Sequence, residues 1–107
     1  MMAALTTLVL KNNKIRSLPA CMKSLKKLVF LQLRNNDIAN LPSELPPHLI
    51  ELYLERNGLE AVPAGLGWLR ELKTLMLCDN ELTSLPVTVG GLHNLEELDL
   101  RNNKLAS

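Results

Sequence analysis

The stretch LIELYLERNGL at residues 49–59 decides the fold of this chain. Its pattern, L-x-x-L-x-L-x-x-N-x-L, recurs at residues 5–15, 28–38, 72–82 and 95–105. Successive starts are 23, 21, 23 and 23 residues apart. Such a period predicts stacked structural repeats, each of which buries its apolar side chains against its neighbours.

The centre of each repeat predicts a short strand. In the third repeat Leu52-Tyr53-Leu54 alternates with a period of two, so the leucines point inward and the middle residue points outward. The strands should be parallel, because the chain returns to the sheet only after a full coil. Each repeat then has an Asn, which we expect to point inward and bond the bending backbone. This column comprises Asn13, Asn36, Asn57, Asn80 and Asn103.

The rest of each repeat forms the opposite, convex side. A proline suits this irregular segment, and apolar residues three apart predict a turn of 3₁₀ or α helix, with the best helical composition at residues 20–27. The second repeat is two residues shorter and contains Pro46-Pro47, which favours an extended return.

These features predict one domain over residues 1–107, an α/β repeat solenoid. It is a right-handed coil with a curved parallel sheet on the concave face and short 3₁₀, α or extended convex segments. The predicted repeats span 5–27, 28–48, 49–71, 72–94 and, in part, 95–107. Neither end has the polar cap that such arrays usually need. A fragment of a longer array, a short natural protein and a chain that associates through its ends all remain open.

Composition limits the partners and the compartment. The net charge of +1 gives no case for binding nucleic acid or an anionic membrane, and no apolar run reaches the roughly 18 residues of a membrane span. Cys21 and Cys78 occupy different repeat phases and should not bridge. Without disulfide-bonded caps or a signal peptide, the chain is predicted to be intracellular and cytoplasmic.

No pattern indicates catalysis, a metal or a cofactor. His48 and His93 are 45 residues apart and are interpreted as solvated loop residues. Cys78 should be exposed but lacks the paired base of a nucleophile. The glycines within 65–67 and 90–91 match no phosphate-binding loop and are interpreted as convex-turn residues that supply φ freedom. The chain is therefore predicted not to be an enzyme.

The informative positions surround each strand and face outward. The middle column contains Val9, Gln32, Tyr53, Met76 and Asp99. Two residues earlier in each repeat stand Thr7, Phe30, Glu51, Thr74 and Glu97. Two residues later stand Lys11, Arg34, Glu55, Cys78 and Arg101.

A solvent-exposed row of Phe30, Tyr53 and Met76 predicts an anchor for a protein partner, because aromatic side chains ringed by charge are typical of hot spots. The alternative is scattered surface apolar residues. The predicted partner-binding set is Phe30, Gln32, Arg34, Glu51, Tyr53, Glu55, Thr74, Met76, Cys78, Glu97 and Asp99.

Two further features have alternative interpretations. The basic and acidic ends of the face could orient a partner, or could reflect cross-strand pairing such as Arg34 with Glu55 or Lys73 with Glu96. Trp68 either packs locally, against Pro63 or the turn glycines, or marks a second, convex contact.

The 23-residue repeat, L-x-x-L-x-L-x-x-N-x-L-x-x-L-P-x-x-x-x-x-L-x-x, resembles the leucine-rich repeats of intracellular scaffolds. Examples are the Erbin and Scribble group, Ras-associated repeat proteins and their plant relatives. The pattern L-P-x-x-L-P-P-x-L at residues 41–49 is instead similar to repeats of bacterial effectors, some of which are ubiquitin ligases. The resemblance implies a concave sheet that docks proteins.

The sequence thus predicts a non-enzymatic module or signalling scaffold that binds a protein of unknown identity on its concave face, without a cofactor. Preorganised strands would reduce the entropy lost on docking. A self-assembling structural unit remains an alternative, as does the substrate-recognition fragment of a larger signalling protein or ubiquitin ligase.

Overall fold

The computed structural model describes residues 4–105 and contains one parallel sheet. Its five strands are β1 (Thr7–Val9), β2 (Phe30–Gln32), β3 (Glu51–Tyr53), β4 (Thr74–Met76) and β5 (Glu97–Asp99). They are hydrogen-bonded in chain order, and every neighbouring pair is parallel. The predicted α/β repeat solenoid is confirmed.

The core is a stack of leucines in register. Leu31 pairs with Leu52 and Leu52 with Leu75, and all three are buried because the convex segments cover them from behind. Leu98 occupies the same position in β5 but is 42% exposed, since no strand lies beyond it within residues 4–105. Burial therefore depends on having a neighbouring repeat on each side.

Among the described residues, 3₁₀ helices form the convex side at Ala20–Ser24, Ala64–Trp68 and Val87–Gly91. A proline in extended conformation precedes each of them, and in the middle helix Leu66 N donates to Pro63 O at 3.0 Å. The predicted helical turns are confirmed as 3₁₀, and the first is shorter than the segment of helical composition.

The second repeat has no helix between β2 and β3, as predicted from its prolines. Pro46 and Pro47 have no N–H to donate, and each also disfavours a helical conformation of the residue before it. The chain instead returns in an extended path that buries Leu45 and Pro46. One step of the convex wall is therefore missing its helix.

The regular recurrence of Asn is explained by bonds between repeats. Asn80 Nδ2 donates to Leu54 O at 2.9 Å and Leu77 O at 3.1 Å, while its Oδ1 accepts from Leu59 N at 3.0 Å. Each of these bonds satisfies a backbone group at the end of a strand. The predicted inward Asn column is confirmed for the repeats that follow another repeat. Asn13 is exposed and bonds only its own turn.

The turn glycines have a different purpose from the one predicted. No glycine among residues 4–105 has a positive φ, so the prediction of φ freedom is wrong. A Cβ on Gly65 would overlap the carbonyl oxygen of Ser43, and one on Gly67 would overlap the carbonyl of Thr88. These two positions need glycine because turns of adjacent repeats touch there. Gly58 and Gly90 face open space.

Positive φ angles occur instead just before the Asn column. Every repeat has one, between 55° and 60°, and the residues are Asn12, Asn35, Arg56, Asp79 and Asn102. Asn and Asp tolerate this left-handed conformation better than other non-glycine residues. Arg56 is the exception, and the sequence analysis did not detect this feature.

Candidate functional site

The sheet places the predicted columns side by side on its outer face. In the middle column Gln32 pairs with Tyr53 and Tyr53 with Met76. In the earlier column Phe30 pairs with Glu51. The column two residues later keeps the same strand order, because backbone bonds also join the repeats beyond the strands. One of them runs from Asn35 N to Glu55 O at 2.8 Å. Their role in binding stays a prediction.

The apolar row is packed rather than freely exposed. The rings of Phe30 and Tyr53 lie 5.4 Å apart, centroid to centroid, and are tilted by 43°. Phe30, Tyr53 and Met76 are all half-buried. The row is therefore less exposed to solvent than predicted. Neighbouring strands are about 4.8 Å apart, which lets large side chains on one face shield each other.

Tyr53 is held in a negative environment. Its hydroxyl donates to Glu51 Oε1 at 2.5 Å, and this bond, with burial and the charges of Glu51, Glu97 and Glu55, raises the pKa of Tyr53 to about 12. A phenol that resists ionisation remains a hydrogen-bond donor at neutral pH. The centre of the face is thus an aromatic pair bordered by carboxylates.

Glu55 has an incompletely satisfied carboxylate. Its Oε1 is buried and has no hydrogen-bond partner among the described residues. Leaving a buried acceptor unpaired is costly, and the side chain would have to move before a donor from outside could reach this atom. This feature could not be predicted from the sequence, because it depends on how the neighbouring side chains pack.

Two other members of the predicted set are less accessible than expected. Thr74 is buried between its neighbours and Glu97, whose Oε1 lies 3.5 Å from its hydroxyl, so it offers little surface to a partner. Cys78 is half-buried rather than exposed, and this burial, aided by Asp99, raises the pKa of its thiol. A raised pKa reduces the thiolate fraction that a nucleophile needs. Cys21 and Cys78 are both free thiols.

The charges on the face do not pair as the cross-strand interpretation predicted. Within residues 4–105 neither Arg34 with Glu55 nor Lys73 with Glu96 forms an ion pair. The ion pair on this face joins Arg101 to Asp99 at 2.7 Å, and it lowers the pKa of Asp99 to about 2. Arg34 and Glu97 are both exposed.

The convex side carries a groove that the sequence analysis missed. It has a volume of about 450 Å³ and is lined by Lys23, Lys26, Leu45, Pro47, Trp68 and Leu69, among others. Trp68 is 66% exposed and lies close to the turn glycines Gly67 and Gly91, so local packing and a second, convex contact both stay predictions. The shorter second repeat was the one signal that could have pointed to this groove.

The histidines lie at the surface, as expected. His48 and His93 are both exposed, and His48 Nδ1 lies 2.5 Å from Glu71 Oε2. Across the described part of the chain, no three His, Cys, Asp or Glu side chains come together as a metal site would require. Nor does any helix there have the length and apolar character to cross a bilayer.

Comparison with known proteins identifies the repeat. Residues 47–105 match the family profile described as "Leucine rich repeat", and residues 4–46 match "Leucine Rich repeats (2 copies)". Human podocan-like protein 1 is 35% identical over 111 residues, covering 97% of this chain and 22% of that protein. Human keratocan is 36% identical over 99 residues, covering 90% and 22%. The chain spans about a fifth of the length of these two relatives.

Solved structures share the same coil. A leucine-rich-repeat protein of Leptospira interrogans is 34% identical, with a TM-score of 0.70 over 96% of this chain and 33% of its own. A chain of the BIR3–SERK2 complex from Arabidopsis thaliana is 27% identical, with a TM-score of 0.82 over 97% of this chain and 59% of its own.

The relatives correct the predicted compartment. Podocan-like protein 1, keratocan and fibromodulin are secreted proteins of the extracellular matrix, so the prediction of a cytoplasmic location is wrong. That prediction relied on the absence of disulfide-bonded caps and of a signal peptide, and neither absence is informative in a chain that spans about a fifth of these relatives. None of the three is an intracellular scaffold, so the resemblance to the Erbin and Scribble group stays a prediction.

Proposed function

Because the chain belongs to the leucine-rich-repeat family, we propose that it is a protein-binding module whose concave face holds a partner protein. The observation that carries this proposal is the half-buried row of Phe30, Tyr53 and Met76, bordered by Glu51, Glu55 and Glu97. An aromatic centre with a charged rim is the usual anatomy of a binding hot spot. The proposed function involves no catalytic step.

The partner's chemistry follows from the charges around the row. Three carboxylates act on Tyr53, and Glu55 Oε1 has no hydrogen-bond donor within residues 4–105. A Lys or Arg side chain from the partner would be attracted by these carboxylates and could lie over the rings of Phe30 and Tyr53 as a cation–π contact. We therefore propose a partner segment that combines a cationic residue with apolar neighbours.

The fold supports this role through rigidity. The binding residues lie on strands that are fixed by the leucine core and by the Asn bonds between repeats, so docking would immobilise few additional groups. We propose that the repeats act as one domain over residues 1–107. The likeness to a chain from a complex of two Arabidopsis proteins supports a protein as the partner.

The test is an affinity pull-down from conditioned medium and matrix extract. The native chain is compared with the triple variant Phe30→Ala/Tyr53→Ala/Met76→Ala and with Val87→Ala. Val87 is 95% exposed on the convex side and serves as the matched apolar control. We expect a prey that the native chain and the control both retain and the triple variant loses. Circular dichroism establishes that each bait is folded.

A second comparison tests the chemistry of the partner. Glu55→Gln removes the charge but keeps the shape, so it should weaken binding by roughly tenfold if a cation contacts this carboxylate. Retention of the same preys by the native chain and the triple variant would contradict the concave site. Equal binding by Glu55→Gln would contradict the cationic partner alone.

One observation favours a second candidate, assembly of chain on chain. Leu98 in β5 is 42% exposed, whereas the corresponding Leu75 in β4 is 1% exposed. Exposed edge strands can pair with another chain. Sedimentation at rising concentration distinguishes the two proposals: a mass that increases toward a dimer or longer array supports assembly, and a constant monomer mass contradicts it. No observation bears on a ubiquitin-ligase fragment.

A further inference from the structure

The convex groove arises where the second repeat lacks its helix. The helices Ala20–Ser24 and Ala64–Trp68 form its two sides, and the extended return of the second repeat lies between them. Elsewhere on this side, consecutive helices touch each other closely, as Thr88 does with the backbone of Gly67. A missing helix therefore leaves a gap that no neighbouring side chain fills.

The floor of the groove is apolar and one wall is aromatic. Leu45 and Leu69 belong to the core, and Pro47 lies half-buried beside them. The indole of Trp68 stands at the edge with 66% of its surface exposed. Gly65 is forced to be glycine by the carbonyl of Ser43, which keeps this side of the groove free of a side chain. The surface fits an apolar side chain stacked on Trp68.

The opposite wall is basic. Lys23 Nζ lies 3.5 Å from Glu44 Oε1, and both side chains are more than half exposed, so this pair is weak and easily exchanged. Lys26 also lines the groove but forms no ion pair within residues 4–105. Two ammonium groups and one carboxylate give the groove an excess of one positive charge.

We propose that this groove binds an extended peptide segment in which acidic residues adjoin an apolar one. The partner's carboxylate would contact Lys26, and its apolar side chain would lie on Trp68 above Leu45 and Leu69. The groove spans two repeat steps, and because convex segments of a curved coil lie farther apart than its strands, which are about 4.8 Å apart, it is longer than roughly 10 Å. Extended chain rises about 3.3 Å per residue, so the groove accommodates at least about three residues.

This surface is distinct from the concave face in place and in charge. Glu51, Glu55 and Glu97 make the concave centre negative, whereas Lys23 and Lys26 make the convex groove positive. A cationic segment fits one face and an acidic segment fits the other. The chain could thus hold two different partners on opposite sides.

The experiment uses Trp68 itself as the reporter, because it is the only tryptophan in the chain. The full chain is titrated with four capped tetrapeptides, each containing two Asp or Glu residues and one Leu or Phe, in both orders. Concentrations reach about 5 mM, enough to detect a Kd of millimolar order. We expect at least one peptide to change the Trp68 emission saturably.

Two neighbouring lysines supply the matched control. Lys26→Glu and Lys27→Glu change the net charge equally, and both residues are exposed, but only Lys26 lines the groove. We expect Lys26→Glu to weaken binding about tenfold and Lys27→Glu less than about twofold. Glu44→Gln should strengthen binding, because it removes the carboxylate that competes for Lys23.

Several results would overturn the proposal. A linear response to all four peptides would exclude the site, and an equal response to analogues with Gln and Asn would exclude recognition of charge. Equal losses in the two lysine variants would show attraction by net charge rather than a groove. Equal affinity for glutarate, a small dicarboxylate, would show that the groove holds an anion rather than a peptide.

Discussion

The Tyr53 hydroxyl donates a hydrogen bond to Oε1 of Glu51, 2.5 Å away, although the two residues lie on one strand with a single residue between them. Alternation along the strand turns both side chains to the concave face, while Leu52 between them points into the core. The bond protects the phenol from ionisation and fixes the ring against Phe30. The pKa of Tyr53 therefore reports whether this arrangement of Glu51, Tyr53 and Phe30 is intact.

That titration gives the first prediction. Tyr53 is the only tyrosine, so absorbance of the phenolate near pH 10 to 13 reports this residue alone. We expect a pKa of about 12 in the native chain, and a lower one in Glu51→Gln, because the substitution removes the charge that opposes phenolate formation. Glu44→Gln, on the convex side, should leave the pKa of Tyr53 unchanged.

The same shift predicts how stability responds to alkali. The folded-state pKa of Tyr53 is raised to about 12, above an unfolded value near 10. Its contribution to stability is therefore fully present below pH 10 and is lost as pH rises through 12. Denaturant unfolding at pH 8 and pH 11 should show a smaller alkaline loss in Tyr53→Phe than in the native chain. Equal losses would contradict the assignment.

The close contacts between convex turns predict a contrast among glycines. Gly65→Ala and Gly67→Ala should each lower the free energy of unfolding by roughly 1–3 kcal/mol, because the new methyl group overlaps a backbone carbonyl of an adjacent turn. Gly58→Ala and Gly90→Ala face open space and should change it by no more than about 1 kcal/mol. Urea unfolding measures all four, and equal effects would contradict the packing explanation.

The left-handed backbone at Arg56 predicts a stabilising substitution. Its φ is 55°, whereas the equivalent position in the other repeats is Asn or Asp. Arg56→Gly removes the crowding of Cβ in this conformation and should raise the free energy of unfolding by roughly 1 kcal/mol. Arg34→Gly, at a position without positive φ, should lower it instead. Thermal unfolding of both variants measures the difference in stability. A lower stability of Arg56→Gly than of the native chain would refute the prediction.

The Asn column predicts unequal losses along the array. Asn80 is 3% exposed and its side chain bonds backbone groups of two repeats, so Asn80→Ala should cost about 3 kcal/mol by leaving buried groups unpaired. Asn13 is exposed and bonds only Leu10 and Lys11. Asn13→Ala should therefore cost less than about 1 kcal/mol. Similar costs in urea unfolding would contradict the bonding between repeats.

Much of the fold could be predicted because each repeat packs against a copy of itself. A residue's place in the L-x-x-L-x-L-x-x-N-x-L pattern therefore sets its surroundings, as Leu52 and Asn80 illustrate. The sheet order, the register of Tyr53 with Met76 and the extended second repeat all follow from this rule. Pro46 and Pro47 predicted the missing helix of the second repeat because they lack the two N–H groups that a helix would need there.

The candidate site was predicted only in outline. The pattern identifies which residues face outward, but not how far Phe30, Thr74 or Cys78 are covered, because that depends on the sizes of side chains on adjacent strands. The unpaired Oε1 of Glu55 also depends on how side chains of adjacent strands pack, so the pattern could not predict it. The predicted compartment was wrong because it was inferred from the absence of disulfide-bonded caps and a signal peptide, and the relatives rather than the repeats revealed the error.

The sequence by itself determined the leucine core, the Asn column and the parallel coil, since these depend on a periodicity that one repeat shares with the next. Only the tertiary structure decided why Gly65 and Gly67 are glycines and why Lys26 and Trp68 border one groove. Those facts depend on distances between turns about twenty residues apart. These distances depend on the unequal lengths of the repeats. Such contacts do not recur in every repeat, so the repeat pattern cannot predict them.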